Sequence, residues 1–255
     1  MESELLRVAK VLKQARRILI ITGAGLSADS GLPTYRGLGG LYNGMTEEGL
    51  PIESALSGPM LQRNPALCWK YLAQLGRACL SARPNAGHEA IAELQRIKPE
   101  CWVLTQNIDG YHRQAGSPPE RLIEIHGEIS PLYCQSCGAE SVELSQHLAG
   151  ELPPRCNECG GILRPPVVLF EESLPEQAID TLYAELRKGF DAVISVGTTA
   201  SFPYIIEPVV RTRQAGGFTV EINPSSTDLT PIVDVHLKGK ALDVLQGLIS
   251  HISGD

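Results

Sequence analysis

Short β-branched runs, each closing on small polar residues, recur along this chain and leave it few folds to adopt. They are Ile18–Thr22, Trp102–Thr105, Leu122–Ile125, Ala192–Val196, Phe218–Ile222 and Val233–Leu237. Helical patterns lie between several of them: Ser3–Ala15, Pro65–Leu80, Gly87–Arg96, Pro175–Lys188, Pro203–Gln214 and Lys240–Ile252. Strands that alternate with helices predict an α/β protein, a parallel sheet with both faces covered. Three stretches break the rhythm. Residues ~34–60 are Gly-rich and weakly periodic, ~61–84 look helical, and ~131–165 are rich in Cys and Pro. These read as insertions that build a smaller lobe.

At 255 residues the chain is long enough for a substantial core, and its composition (43% hydrophobic, 20% charged) is that of a globular protein. No apolar run approaches the ~18–20 residues of a membrane span, so no membrane partner is expected. The N-terminal MESELLRVAKVLKQARR has acidic residues and helical apolar spacing instead of a signal peptide's layout, which favours a cytoplasmic location. A formal charge of −7 argues against direct nucleic-acid binding. Seven Cys, an odd count without a leader, make a disulfide framework unexpected.

The chemistry lies where the strands stop. Their ends carry TGAG (22–25), TQNID (105–109), EIHG (124–127), VGTT (196–199) and EIN (221–223). In open α/β sheets ligands bind outside the carboxyl ends of the strands, so these ends are expected to meet at one crevice. The first follows an apolar run and fits G-x-G-x-x-A from Gly23 to Ala28, a dinucleotide fingerprint. Its helix reading stops at Gly31-Leu32-Pro33. A dehydrogenase would next close a second strand on an acidic residue, and Leu38–Asn43 has none.

Cys134-x-x-Cys137 and Cys156-x-x-Cys159 have the spacing of a structural zinc site, with Gly138 and Gly160 permitting tight knuckles. Four thiolates leave no open position for water, so the metal is structural. Cys68, Cys79 and Cys101 fit a core role. Among six histidines, His88 opens a helix and suits packing or capping, and His112 with Arg113 reads as an exposed turn. His147, His236 and His251 have no companion chemistry in their segments. His126 ends a strand, precedes Gly127 and adjoins the cysteine module, which suits either a general base or a satisfied buried imidazole. Asn107 and Asp109 read equally as a polar turn or as an amide and a carboxylate fixed at a cleft.

Together these residues resemble the sirtuins, NAD-dependent protein deacylases, over nearly the whole chain. GAG-x-S-x-x-SG-x-P-x-[FY]-R appears as Gly23–Arg36, TQN-x-D as Thr105–Asp109, and HG as His126-Gly127, with the four cysteines following. CGG-x-LRP-x-VV appears as Cys159–Val168, and Gly197-Thr198-Thr199, Glu221-Ile222-Asn223 and Gly239-Lys240-Ala241 complete the order. The resemblance implies a Rossmann-like large domain over about 1–35, 85–130 and 166–255. It also implies a small domain from about 36–84 (helical) and 131–165 (zinc), with NAD and an acyl-lysine peptide held between. By the same resemblance the acyl oxygen displaces nicotinamide from the ribose. His126 then takes a proton from a ribose hydroxyl, yielding free lysine and O-acyl-ADP-ribose. Asn107 would position the ribose, Asp109 with Ile108 would hold the carboxamide, and Gln106 would contact the ribose region. Gly23, Ala24 and Gly25 would approach the phosphates, while Gly197, Thr198, Thr199, Asn223 and Ala241 would line the adenosine side. Ser27, Pro33, Tyr35 and Arg36 complete the implied NAD set, the last three in a loop that closes over the nicotinamide ribose.

Two departures bear on substrate. The desuccinylase branch carries Tyr-x-x-Arg in the small-domain helix, where this chain has Leu72 and Leu75. An apolar pair cannot neutralise a carboxylate, so acetyl or another neutral acyl group is expected. In Val168-Leu169-Phe170-Glu171-Glu172, Glu171 replaces the family's Gly in the segment that, by the resemblance, pairs with the peptide backbone. A zinc-ribbon nucleic-acid module is disfavoured by the acidic balance; protein mono-ADP-ribosylation on the same scaffold is the alternative activity.

Overall fold

The computed structural model describes residues 2–33, 45–140 and 143–254. Helix α1 (Glu2–Gln14) leads into β1 (Arg17–Thr22) and a single helical turn, α2 (Ala24–Ser27). Short α3 (Ile52–Ala55) and α4 (Gly58–Arg63) precede the long α5 (Pro65–Ser81). Next come α6 (Ala86–Ile97), β2 (Glu100–Thr105), α7 (Tyr111–Gln114) and β3 (Leu122–Glu124). Strands β4 (Tyr133–Cys134) and β5 (Leu163–Arg164) form a separate antiparallel hairpin. The rest is α8 (Glu176–Lys188), β6 (Ala192–Val196), α9 (Pro203–Gln214), β7 (Phe218–Ile222), β8 (Val235–Leu237) and α10 (Ala241–Ser253).

Six strands in the order β3-β2-β1-β6-β7-β8, all parallel, make the main sheet. The α/β reading therefore holds. Strand β1 shows why its run is apolar throughout. Ile18 and Ile20 enter one cluster, with residues of α1, α6 and α10, while Leu19 and Ile21 enter another, with residues of α8 and α9. Alternate side chains point to opposite faces, and both faces are buried. Each such side chain contributes about 1.5–3 kcal/mol.

A third cluster lies off the sheet and gathers Trp69, Leu72, Leu132, Leu144, Leu163 and Leu169. Helix α5 starts where Asn64 Oδ1 accepts from the Leu67 N–H at 3.2 Å and Pro65 occupies the first turn, two standard helix-opening devices. The Trp69 indole N–H donates to the Leu163 carbonyl at 3.0 Å, fixing α5 against the β4–β5 hairpin. Among the described residues no helix is long and apolar enough to cross a membrane.

Candidate active site

The register brings the polar strand ends into one row, because Thr22 lies opposite both Thr105 and Val196, Thr105 opposite Glu124, and Val196 opposite Ile222. The strand order reverses at β1, where β2 lies on one side and β6 on the other, which opens a crevice at their carboxyl ends. Two turns cross there backbone to backbone. The Gly25 N–H donates to Gly197 O at 2.8 Å, and a Cβ on Gly25 would meet Gly197 Cα at 2.7 Å. Gly197 itself has φ +58. Packing within the protein thus demands these glycines, and it leaves bare backbone beside the crevice.

Asn107 and Asp109 resolve into fixed groups. Asn107 Nδ2 donates to Gly23 O at 3.1 Å and to Ser27 Oγ at 3.2 Å. Ser27 in turn donates to Asp109 Oδ2 at 2.7 Å, and the Tyr111 N–H donates to Oδ1 at 2.9 Å. Burial raises the Asp109 pKa, and those two hydrogen bonds oppose the rise. Gln106 Nε2 donates to Thr198 Oγ1 at 2.9 Å, and Asn223 Nδ2 to Thr198 O at 3.0 Å. Ala241 opens α10, which packs on α2. Thr199 is exposed on the β6 turn, Ile108 is half-buried, and its carbonyl accepts from the Ile129 N–H at 2.9 Å. Pro33 is half-buried, whereas Tyr35 and Arg36 lie outside the described residues.

His126 is half-buried, with both ring nitrogens engaged. Its Nδ1 lies 3.0 Å from Gln106 O, so Nδ1 carries the proton and donates it. The lone pair is therefore on Nε2, which accepts from the Tyr204 hydroxyl at 2.7 Å. Burial lowers the pKa, and the bond to the Gln106 carbonyl works the other way. A neutral imidazole with one basic nitrogen results. Tyr204 carries no signal in the sequence, since its polar tip on a helix reads as ordinary surface.

His112 is not on an exposed turn. Helix α7 packs it inward at 2% exposure, and its Nε2 lies 2.9 Å from Thr22 Oγ1 while Nδ1 has no partner among the described residues. The polar run Tyr-His-Arg-Gln misled because only its second half turns outward, Arg113 to Glu124 and Gln114 to the surface, while Tyr111 and His112 are buried. His88 does cap its helix, accepting from the Asn85 N–H at Nδ1 (3.2 Å), and its Nε2 faces Ser27 Oγ at 3.4 Å. His236 also acquires a companion absent from the sequence reading, the Asn223 carbonyl 2.9 Å from Nε2.

The four cysteines Cys134, Cys137, Cys156 and Cys159 converge, with all Sγ atoms within 4.8 Å of one another. Sγ separations of 3.5 Å (Cys134–Cys159) and 3.8 Å (Cys137–Cys156) match the edge of about 3.8 Å of a tetrahedron with Zn–S bonds near 2.3 Å. Gly138 (φ +74) and Gly160 (φ +72) make the knuckle turns. The residues fit a closed structural zinc ion.

The cysteine hairpin runs directly into the segment Val168–Glu172. The Val168 N–H donates to His126 O at 2.9 Å, and the Phe170 N–H to Leu56 O at 2.9 Å. Arg164 pairs with Glu172 (Nη1 to Oε1, 2.7 Å) and also donates to Val167 O at 2.7 Å. Between them Glu171 takes φ +66, the left-handed conformation that favours glycine. Leu169 is buried, while Val168 and Phe170 are half-buried. Leu72 is 1% exposed in the third cluster, and Leu75 packs against that cluster.

A crevice at the switch point of a Rossmann-like sheet, with a separate four-cysteine module, defines a nucleotide-binding α/β class with a structural metal. The Sir2 family profile matches residues 23–202. The chain belongs to the Sir2 family. An NAD-dependent protein deacylase 2 of Pseudomonas aeruginosa is 77% identical over 250 residues, covering 98% of each chain. A solved Sir2 homologue–NAD complex is 35% identical with a TM-score of 0.85, covering 97% of this chain and 93% of that one. The structure of Sir2Af2 bound to a myristoylated histone peptide is 30% identical with a TM-score of 0.80, covering 100% and 98%.

Proposed function

We infer that the chain is an NAD-dependent protein deacylase that removes acyl groups from lysine side chains. The observation that carries this reading is His126, a neutral imidazole with a fixed tautomer at the end of the strand row, beside the segment that joins the crevice to the cysteine hairpin. NAD, as co-substrate, supplies the ribose that accepts the acyl group and nicotinamide as the leaving group. The residues in place fit it: bare glycine backbone at the switch point, flanked by two hydrogen-bonded sets, Ser27 with Asn107 and Asp109, and Thr198 with Gln106 and Asn223.

Each of these residues has a distinct task. Asn107, tied to Gly23 and Ser27, orients the ribose, while Asp109 with Ile108 holds the carboxamide. Gly23, Ala24 and Gly25 admit the phosphates; Gly197, Thr198, Thr199, Asn223 and Ala241 line the adenosine side. His126 Nε2 takes up the proton released when a ribose hydroxyl attacks, and its Nδ1–H on Gln106 O supports the resulting imidazolium. The third cluster and the cysteine module form the small lobe, and Val168–Phe170 presents backbone to the peptide. Leu72 and Leu75 make the acyl pocket neutral, as a carboxylate buried there unpaired costs several kcal/mol. The myristoylated peptide of Sir2Af2 supports room for apolar chains.

The activity named for the relatives favours deacylation over protein mono-ADP-ribosylation on the same scaffold. Mass spectrometry after incubation with NAD and acyl-lysine peptides tests both. O-acyl-ADP-ribose is expected, whereas ADP-ribose attached to protein without peptide deacylation refutes the reading. Faster turnover of a succinyl-lysine peptide than of its acetyl and longer-acyl counterparts refutes the neutral pocket.

A further inference from the structure

His126 Nε2 has one lone pair, and Tyr204 already holds it. At 2.7 Å, with Nδ1 committed to Gln106 O, the hydroxyl must be the donor. The tyrosine is also held in place. Its ring stacks on Phe202 (centroids 5.3 Å apart, planes 10° apart) and packs against the cluster on the α8–α9 face of the sheet. Both rings meet the imidazole edge-on, at 5.9 Å for Phe202 and 6.0 Å for Tyr204. The turn delivering them is unusually tight: Gly197 has φ +58, and Ala200, fully buried, has φ +53. A non-glycine residue in that conformation persists only where its surroundings fix it.

We propose that Tyr204 is the proton relay through which His126 acts as a base, an inference that rests on the deacylase reading above. The substrate's ribose O–H bond breaks and its proton passes to the Tyr204 oxygen. In the same event the tyrosine's own proton moves to His126 Nε2, forming the N–H bond. Phenol is regenerated, imidazolium forms with Nδ1–H on Gln106 O, and the ribose oxygen attacks the acyl carbon. Imidazolium later loses its proton to water. Burial supports this role by pushing Tyr204 up to about 12, so its proton is present at neutral pH. The side chain reaches back past the start of α9, as helical side chains do, which brings a residue of the first turn to a strand end.

Tyr204→Phe keeps the ring stack and removes only the hydroxyl. In ligand-free protein, 15N-histidine NMR should place the His126 proton on Nδ1 in the parent, and the variant should raise the His126 pKa by about half a unit or more, because a donor to the neutral ring is lost. In single turnover the variant should lose roughly ten-fold or more in acyl transfer. Exchange of labelled nicotinamide, which needs only the earlier bond cleavage, should stay within about two-fold of the parent on the same argument. Unchanged or faster acyl transfer, an equal fall in exchange and transfer, or an unmoved His126 pKa would each overturn the relay. His126→Ala run alongside separates the two ideas. If it loses acyl transfer while Tyr204→Phe does not, the base stands and only the relay falls. If it retains acyl transfer, the base reading itself has failed.

Discussion

Two apolar clusters close over the sheet, one against α1, α6 and α10 and the other against α8 and α9, and six strands tie them together in register. Around Trp69 and Leu163, by contrast, the third cluster has helices on one side and a hairpin of two-residue strands on the other. A hairpin that short is not stable by itself, so the sulfur tetrahedron must supply what strand length does not. The sheet is held by a long ladder of paired strands. The other cluster rests on a hairpin whose four cysteines fit a metal ion that would close it. The contrast teaches that the polar groups of the crevice owe their geometry to the sheet, while the short hairpin depends on its four cysteines.

Metal removal breaks the comparison most severely. Structural zinc is worth on the order of 10 kcal/mol to a small module, so chelation should strip hydrogen-exchange protection from Cys134, Leu163 and their neighbours. Protection of β1, β2 and β6 should persist; loss there too would show that the lobes unfold as one unit. His126→Ala acts on the other side of the contrast. Acyl transfer should fall by about 10²–10⁴-fold, with zinc stoichiometry and NAD affinity unchanged. Zinc loss in that variant would assign His126 to the scaffold instead.

A smaller effect comes from the histidines packed behind the crevice. Burial holds His88 at about 4 and His112 at about 3, against an ordinary value near 6.5. The unfolded chain therefore takes up protons below about 6.5 that the folded chain refuses, and stability present at pH 7 is lost as pH falls from there toward 4. By pH 5 the loss amounts to about 2 kcal/mol per histidine. Urea midpoints at pH 7 and 5 should differ less for His112→Phe than for the parent; equal differences would show that His112 protonates in the folded state. Smallest is Glu171→Gly. Relief of the left-handed backbone, offset by the freedom glycine gains on unfolding, should raise stability by about 0.5–1 kcal/mol. A thermal midpoint equal to or below the parent's would mean that this turn relaxes without cost.

The sheet was legible because strands buried on both faces leave short apolar runs rich in β-branched residues and closed by Gly or polar residues. Each predicted strand falls within about two residues of its observed span, and polar residues at the carboxyl ends pointed to the crevice. The cysteine cluster was legible from spacing alone, since C-x-x-C turns are local. Contacts between distant elements were not. Tyr204 meets His126 across the gap between α9 and the end of β3, and nothing near either residue marks the other. His112 was misread because a four-residue helix shows no period, so its inward face looked like surface. For Glu171 the family comparison flagged the residue, but only the backbone reveals that the position is left-handed.

Trp69 gives the hairpin a voice of its own. It is one of two tryptophans, fully buried, and its indole is bonded to Leu163, the residue that pairs with Cys134 in the hairpin. The other, Trp102, lies on β2 within the sheet. In a Trp102→Phe variant, emission from Trp69 should therefore change when a chelator opens the sulfur cluster, and an unmoved spectrum would show that the indole does not sense it. Such a variant would carry an optical gauge of its own cysteine site that needs no added dye.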